Sequence, residues 1–486
     1  MQPGMDEARR AQARWAAMPL RQRRILLRRL RHLLADALDE IVATIADEVG
    51  KPPLDALSGD AMVALECLRY YERRAGDVLR PRRVGSPSLL FRGARFEERP
   101  EPHGVVLIFA PWNYPFQLAM IPAITALYAG NAVMLKCSEH AARTAQLIGG
   151  LFERAGFPAG LVQVCADPPE VAQALLQQGP DFLFFTGSSS NGRELARVAA
   201  ERWIPAAWEL GGKDPCLVFA SSDPERTVEG VCYAAFSNAG QVCVGAKRIY
   251  VDAVIYEKFL EALTQRAGSL RIGNRVDCDM GVIRMDAVRA RLALQLEDAL
   301  AHGARLHTEW DRQSAAVPPL ILSQVPREAA LLAEESFGPI VVVEPFRDER
   351  EAIAKANASA YALSASVFTG DHAQAERVAA GLRCGSVTVN DAIRHVGNPY
   401  AAFGGNGRSG NGRYHGEAGL RLFTRTKTVM RVTRPRRREM HWFPFKEQTY
   451  RGLRALMTVR HASGSLASRA RVLLDLASSS NSKDFL

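Results

Sequence analysis

Apolar residues in the first eighty positions fall three and four apart; from residue 105 that spacing gives way to short continuous runs. Leu27, Leu30, Leu34, Leu38, Ile41 and Ile45 share one helical face, and Gly50 followed by Pro52 supplies a stop. The pattern predicts helices over residues 5–82, with the arginine-rich face solvated. Beyond them VVLIFA (105–110), AVMLK (132–136), LVQVC (161–165), FLFFTG (182–187) and CLVF (216–219) have the length and continuity of strands buried on both faces. The intervening segments 117–129, 140–155 and 191–202 have helical length. Such alternation predicts an α/β fold of crossover units on a parallel sheet, which binds nucleotides at the carboxyl ends of its strands. A second α/β stretch follows over 223–410, with helices at 254–268 and 287–302 and strands at 340–346 and 385–390. Residues 401–416, AAFGGNGRSGNGRYHG, read as a loop. No GxGxxG is present, so the usual dinucleotide fingerprint adds no support.

At 486 residues the chain is too long for one core and predicts two or three domains. Its eight cysteines form no CxxC pair, and no histidines stand at zinc spacing, which argues against a metal site. The start, MQPGMDEARRAQARW, lacks an apolar core and is not a secretory signal; with unpaired thiols this points to the cytoplasm. Residues 105–135 are strongly apolar, but Pro111, Asn113, Pro115, Gln117 and Pro122 break the run into strand, loop, helix and strand rather than a membrane span. The net charge of +10 sits at the ends: nine Arg against Asp6 and Glu7 in residues 1–32, and twelve Lys/Arg against four acids in 431–486. The middle is slightly acidic, which argues against a nucleic-acid-binding core. Composition shifts near 432, where aromatic residues interleave with Lys and Arg in MHWFPFKEQTYRGLRALMTVR (440–460). That pattern fits packing on the protein itself or on a dimer partner, or, less favoured, peripheral contact with a membrane.

Four positions can carry chemistry. Cys243 has small and polar neighbours, Ser237, Asn238, Gly240 and Gln241, so it reads as a nucleophile or as an inert core thiol. Glu209 follows the apolar AAW, where burial raises a carboxyl toward general-base range; the alternative is a strand-end salt bridge. Asn113, between two prolines after a strand, can donate to an oxyanion or simply shape a turn. TGSSSNG (186–192) joins a strand to a helix and offers backbone N–H groups to a pyrophosphate, as many Ser/Gly loops would.

Taken together the motifs decide. PWNYP (111–115), KCSE (136–139), FTGS (185–188), ELGGK (209–213), GQVC (240–243), EESFGP (334–339) and FGGNGRSGNG (403–412) stand in the order of the aldehyde dehydrogenase superfamily, which the chain resembles over about residues 10–430. PWNYPF and GRYHG resemble its class 3 branch and coniferyl-aldehyde-dehydrogenase-like members. The resemblance implies a Rossmann-like NAD-binding domain (1–83 and 104–209), an α/β catalytic domain (210–412), a small β oligomerisation arm (84–103 and 413–431) and a basic tail (432–486). It implies oxidation of an aldehyde to a carboxylic acid. Cys243 would attack the carbonyl, Asn113 and the Cys243 N–H would hold the oxyanion, and Glu209 would activate the water that hydrolyses the thioester. Lys136 and Glu139 would meet the adenosine ribose, Gly187, Ser188 and Gly192 the adenine and pyrophosphate, Glu335 and Phe337 the nicotinamide end. Glu139 favours NAD, because a carboxylate repels a 2′-phosphate; Lys136 leaves NADP open. Tyr114, Phe116, Leu118, Val242 and Val244 make the aldehyde a hydrophobic one, aromatic or of medium chain length. The class 3 resemblance implies a homodimer. Cys137 and Ala401–Ala402 depart from the family, which has prolines in both places. The competing readings are transfer of the thioester to coenzyme A and a non-catalytic binding or structural protein; Glu209, together with Cys243 and Asn113, speaks against both.

Overall fold

The computed structural model describes residues 4–85, 91, 93–168, 170–312, 314, 316–433, 435, 437–439, 441–463, 465 and 469. The chain divides into two units, residues up to 80 with 100–425, and 81–99 with those from 426 onward.

The first unit opens with helices Met5–Ala17, Leu20–Asp36 and Leu38–Ile45, and after a wide turn at Ala46–Gly50 continues to Met62–Val78. The stripe Leu27, Leu30 and Leu34 is fully buried, as its spacing requires. The arginine face is not wholly solvated. Arg28 and Arg31 hold Glu72 on helix Met62–Val78, and Arg23 reaches the Tyr128 carbonyl at 3.2 Å. The last helix stops at Val78, not 82: Pro81 cannot continue it, and Arg82–Val84 is a strand.

Two sheets follow. The first has, in spatial order, strands Gly410–Asn411, Ala206–Glu209, Phe182–Thr186, Val105–Ala110, Ala132–Cys137 and Val162–Cys165, parallel except for the first pairing. Val105–Ala110 is central. The chain builds outward from it on one side and then returns to its other side with Phe182–Thr186. The crevice beyond Ala110 and Thr186 is therefore a topological switch point, where open α/β sheets bind their ligands. The second sheet runs Arg305–Leu306, Leu320–Ser323, Ile340–Phe346, Ala246–Asp252, Asp214–Val218, Ser364–Phe368 and Ser386–Val389, parallel but for its first pair. Residues 210–213 carry the chain from the end of one sheet directly into the other. Expected helices fall at Pro115–Ala129, Ala142–Arg154, Ser189–Glu201, Tyr256–Gly268 and Asp286–Ala301.

In the second unit Arg82–Val84, Ala94–Pro102 and Thr424–Val432 form a three-stranded sheet, and Glu447–His461 is a helix. Residues 413–423, expected in the arm, carry the helix Gly416–Leu422 instead. Trp442, Phe443, Phe445 and Tyr450 are exposed. No helix among the described residues is long and apolar enough to cross a membrane. Much of the tail beyond 463, and residues 86–90 of the arm, lie outside the described residues.

Asn131 ties the first unit together. It is fully buried; its Nδ2 donates to the carbonyls of Ala126 (3.0 Å) and Phe423 (2.9 Å), and its Oδ1 accepts from Gly104 N (3.0 Å). One amide thus joins a helix end, the approach to the central strand and residue 423. Asn131→Ala would leave the Gly104 N–H and the buried Phe423 carbonyl without this partner, while the Ala126 carbonyl keeps the Asn131 backbone N–H, and should cost about 1–3 kcal/mol. A urea midpoint or Tm unchanged from wild type would contradict that role.

Candidate active site

The central strand ends at Ala110, and the prolines at 111 and 115 set the loop that leads into helix Pro115–Ala129. Asn113 stands in that loop and is buried. Its backbone carbonyl accepts from Lys51 Nζ at 2.7 Å and from Asn238 Nδ2 at 3.0 Å. Its side-chain Nδ2 donates to the Gln241 carbonyl at 2.9 Å. A primary amide has two N–H donors, so one remains for a ligand.

Cys243 lies in a turn between the segment Ser237–Gly240 and strand Ala246–Asp252. Three consecutive residues, Asn238, Ala239 and Gly240, have φ of 49°, 53° and 68°. For non-glycine residues that left-handed backbone costs about 1–2 kcal/mol each, so neighbours must hold it. The Gln241 N–H donates to the Asn238 carbonyl at 3.0 Å, Gln241 Nε2 donates to the same oxygen at 3.0 Å, and Asn238 Nδ2 bonds the Asn113 carbonyl. A side chain at 240 would also run into the Gly338 carbonyl. Burial pushes the Cys243 thiol well up, and the carboxyls of Asp214, Glu335 and Glu209 add to the shift; the Val244 N–H pulls slightly back. The resting group is therefore a thiol.

Glu209 ends strand Ala206–Glu209 and is buried, which raises its carboxyl well above the ordinary range, with Arg413 opposing. The next turn explains the two glycines of ELGGK. A Cβ at 211 would meet the Glu335 carboxylate, and one at 212 the Cys243 carbonyl. Glu335 in turn accepts from Gly212 N at 3.1 Å. The segment Glu335–Gly338 is held from beneath by buried lysines: Lys213 Nζ donates to Ser336 Oγ at 2.7 Å, Lys247 Nζ to the Gly338 carbonyl at 2.8 Å.

Two cavities meet at Cys243 and Asn113. One, of about 230 Å³, is walled by Thr186, Gly187, Ser188, Glu209, Glu335 and Phe337. The other, of about 450 Å³, carries Tyr114, Leu118, Val242, Val244, Phe403 and Tyr414. Thus of the residues expected at the cofactor, Gly187, Ser188, Glu335 and Phe337 share a cavity with Cys243. Phe337 sets its ring edge-on to Trp112 with centroids 5.6 Å apart. Gly192 is buried one turn into helix Ser189–Glu201, against Leu210. Lys136 and Glu139 stand farther along the sheet, at the end of Ala132–Cys137, with Nζ and Oε2 3.4 Å apart. Burial pushes Glu139 up, but its own N–H, Lys136 and His140 together hold it below the usual carboxylate range. Tyr114, Leu118, Val242 and Val244 line the larger cavity. Phe116 does not: it is fully buried in the core among the helices.

The pattern of residues gave no warning of Lys51 or Asp60, because Lys51 sat in what read as a helix stop and Asp60 in a stretch without a motif; Asn238 and Gln241 stood out only as polar neighbours of Cys243. Phe403 and Tyr414, both in the glycine-rich loop, exchange backbone hydrogen bonds at 2.7 and 2.8 Å and close the site between them. Among the described residues no group of His, Cys, Asp and Glu is arranged to hold a metal.

A dinucleotide fits this frame: the N-terminus of the thirteen-residue helix Ser189–Glu201, capped by Ser188, opens at the switch point, and the smaller cavity leads from there to Cys243. The comparisons agree. The profile of the Aldehyde dehydrogenase family matches residues 2–429. A Methylomonas protein named 4,4'-diapolycopene aldehyde oxidase is 37% identical, covering 97% of this chain and 89% of its own. The NAD+ complex of an aldehyde dehydrogenase from Bacillus cereus superposes with a TM-score of 0.83 at 30% identity, over 88% of each chain. A structure titled an NADP-dependent enzyme of E. coli gives 0.83 at 30% identity, over 87% of this chain and 88% of that one. The chain belongs to the aldehyde dehydrogenase family and is an NAD(P)-dependent enzyme of that family.

Proposed function

We propose that the protein oxidises hydrophobic aldehydes, aromatic or of medium chain length, to carboxylic acids through a thioester on Cys243, with NAD preferred. The observation that carries this reading is the placement of Cys243 and Asn113 at the junction of two cavities, one reaching Ser188 at the helix N-terminus and holding Glu209, the other larger and mainly apolar. With its thiol proton lost to solvent, Cys243 attacks the aldehyde carbon as the thiolate, giving a thiohemiacetal oxyanion that takes hydrogen bonds from the uncommitted Asn113 N–H and the Cys243 backbone N–H. Glu335 and Phe337 would hold the nicotinamide end of the dinucleotide in the smaller cavity, where it would supply the two-electron oxidation from adduct to thioester. Glu209 then removes a proton from water, which attacks the thioester and frees Cys243 as the acid leaves.

The larger cavity supports an apolar substrate. Its two arginines, Arg226 and Arg394, share the lining with Asp55 and Asp391, and Arg394 pairs with Asp391, so the aspartates offset their pull on a substrate carboxylate. The name of the Methylomonas relative refers to a diapolycopene aldehyde. In the second unit, Thr424–Val432 is an outer strand of the sheet and largely exposed, with its far edge unpaired among the described residues. Such an open edge suits pairing with a second copy, in keeping with the expected dimer.

Glu209→Gln should still release about one NADH per subunit in the first turnover and then stall, with the steady state down about 10²–10⁴-fold. In the wild type, hydrolysis requires the ionised carboxylate, whose pKa is raised, so turnover should fall as pH drops through a limb above the ordinary carboxylate range. Retention of both turnover and limb in Glu209→Gln would assign the base elsewhere. Glu139→Gln should raise kcat/KM for NADP relative to NAD by about tenfold, since it removes a charge facing the 2′ position. An unchanged ratio would remove Glu139 from cofactor choice.

A further inference from the structure

Lys51 and Asp60 are both fully buried and pair at 3.0 Å. A buried ion pair is a poor source of stability, because desolvating two charges offsets most of their attraction. This pair has instead a specific set of contacts. Each N–H of the Lys51 ammonium has a partner: Asp60 Oδ2 at 3.0 Å, the Asn113 carbonyl at 2.7 Å, and the face of the Tyr114 ring, whose centroid is 3.7 Å from Nζ. Asp60 Oδ1 accepts the N–H groups of Phe116 at 3.1 Å and Gln117 at 3.0 Å. Those are first-turn amides of helix Pro115–Ala129, whose N-cap residue Tyr114 offers no side-chain cap of its own. Asp60 therefore caps the helix that follows Asn113, and Lys51 grips the Asn113 peptide itself.

We propose that the Lys51–Asp60 pair is the positioning element for the Asn113 amide, fixing the loop 111–115 so that one side-chain N–H faces the oxyanion formed at Cys243. This rests on the reading of Asn113 as the oxyanion donor. The Asn113 carbonyl has both lone pairs occupied, by Lys51 and Asn238, and its Nδ2 is tied to Gln241, so its peptide plane has little freedom. Removing either charge lets that plane rotate, and an oxyanion donor displaced by more than about 0.5 Å loses much of its effect. Neither Lys51 nor Asp60 touches the reacting atoms; they act through Asn113.

Two cofactor-free reactions of Cys243 separate this role from mere support of the fold. Acylation by p-nitrophenyl acetate passes through a tetrahedral oxyanion, whereas alkylation by iodoacetamide is a displacement at carbon that forms none. Lys51→Met and Asp60→Asn should each slow acylation at least about tenfold while alkylation stays within about threefold, and Asn113→Ala should slow acylation about a hundredfold. Lys51→Met combined with Asn113→Ala should be no slower than Asn113→Ala alone, because both changes remove the same interaction. Parallel loss of acylation and alkylation, wild-type acylation in folded variants, or multiplying losses in the double variant would overturn the proposal. If Lys51→Met does not fold, Asp60→Asn decides; if neither folds, the pair is a folding element and the proposal is wrong. Normal acylation by Asn113→Ala would overturn the oxyanion reading, and this inference with it.

Discussion

The Asn113 peptide carbonyl accepts from two buried donors at once, Lys51 Nζ and Asn238 Nδ2, and most of the site depends on that junction. It joins three parts of the chain distant in sequence: the first helical segment, the loop after the central strand, and the turn before Cys243. Buried backbone groups at such a seam must be paired or cost free energy. The surrounding turns satisfy that demand with side chains rather than with a regular ladder. This is why the left-handed run Asn238–Gly240 persists: its strain is offset by bonds that the same residues make across the seam.

The two sheets meet there with opposite ends. The first presents the carboxyl ends of its strands, bearing Asn113, Gly187 and Glu209; the second presents the amino end of Ala246–Asp252, just after Cys243. Close approach follows from the glycines at 211 and 212, which let the chain pass against Glu335 and the Cys243 carbonyl. Burial dominates the electrostatics, raising the Cys243 thiol and the Glu209 carboxyl together. Neither is reactive by default. In the proposed mechanism a raised carboxyl suits the hydrolytic step, in which Glu209 would take a proton from water.

Strands were readable where apolar runs were short and bounded: Ile340–Phe346 matches its expected limits, and Val105–Ala110 likewise. Cys243, Glu209, Asn113 and the loop 186–192 were readable as candidates because each lies in a motif of fixed spacing, and all four contribute to the walls of the two adjoining cavities. Lys51 and Asp60 were not, since a buried ion pair leaves no periodic trace and Lys51 sits where Gly50 and Pro52 announce only a stop. Phe116 misled for a different reason: it neighbours Tyr114 and Leu118 in sequence, but a helix turns its side chain about 100° per residue, into the core rather than the cavity. Around residue 80 the helical pattern ran past the true end because Pro81 outweighs the periodicity.

The most direct test of the central claim is to catch the covalent intermediate. Protein mixed with NAD and an apolar aldehyde would be quenched in acid within the first turnover, digested, and the peptide containing Cys243 weighed. The account predicts an increase equal to the aldehyde less two hydrogens on Cys243, and on none of the other seven cysteines. NADH formation with Cys243 unmodified, or an acyl group carried by a different cysteine, would contradict it.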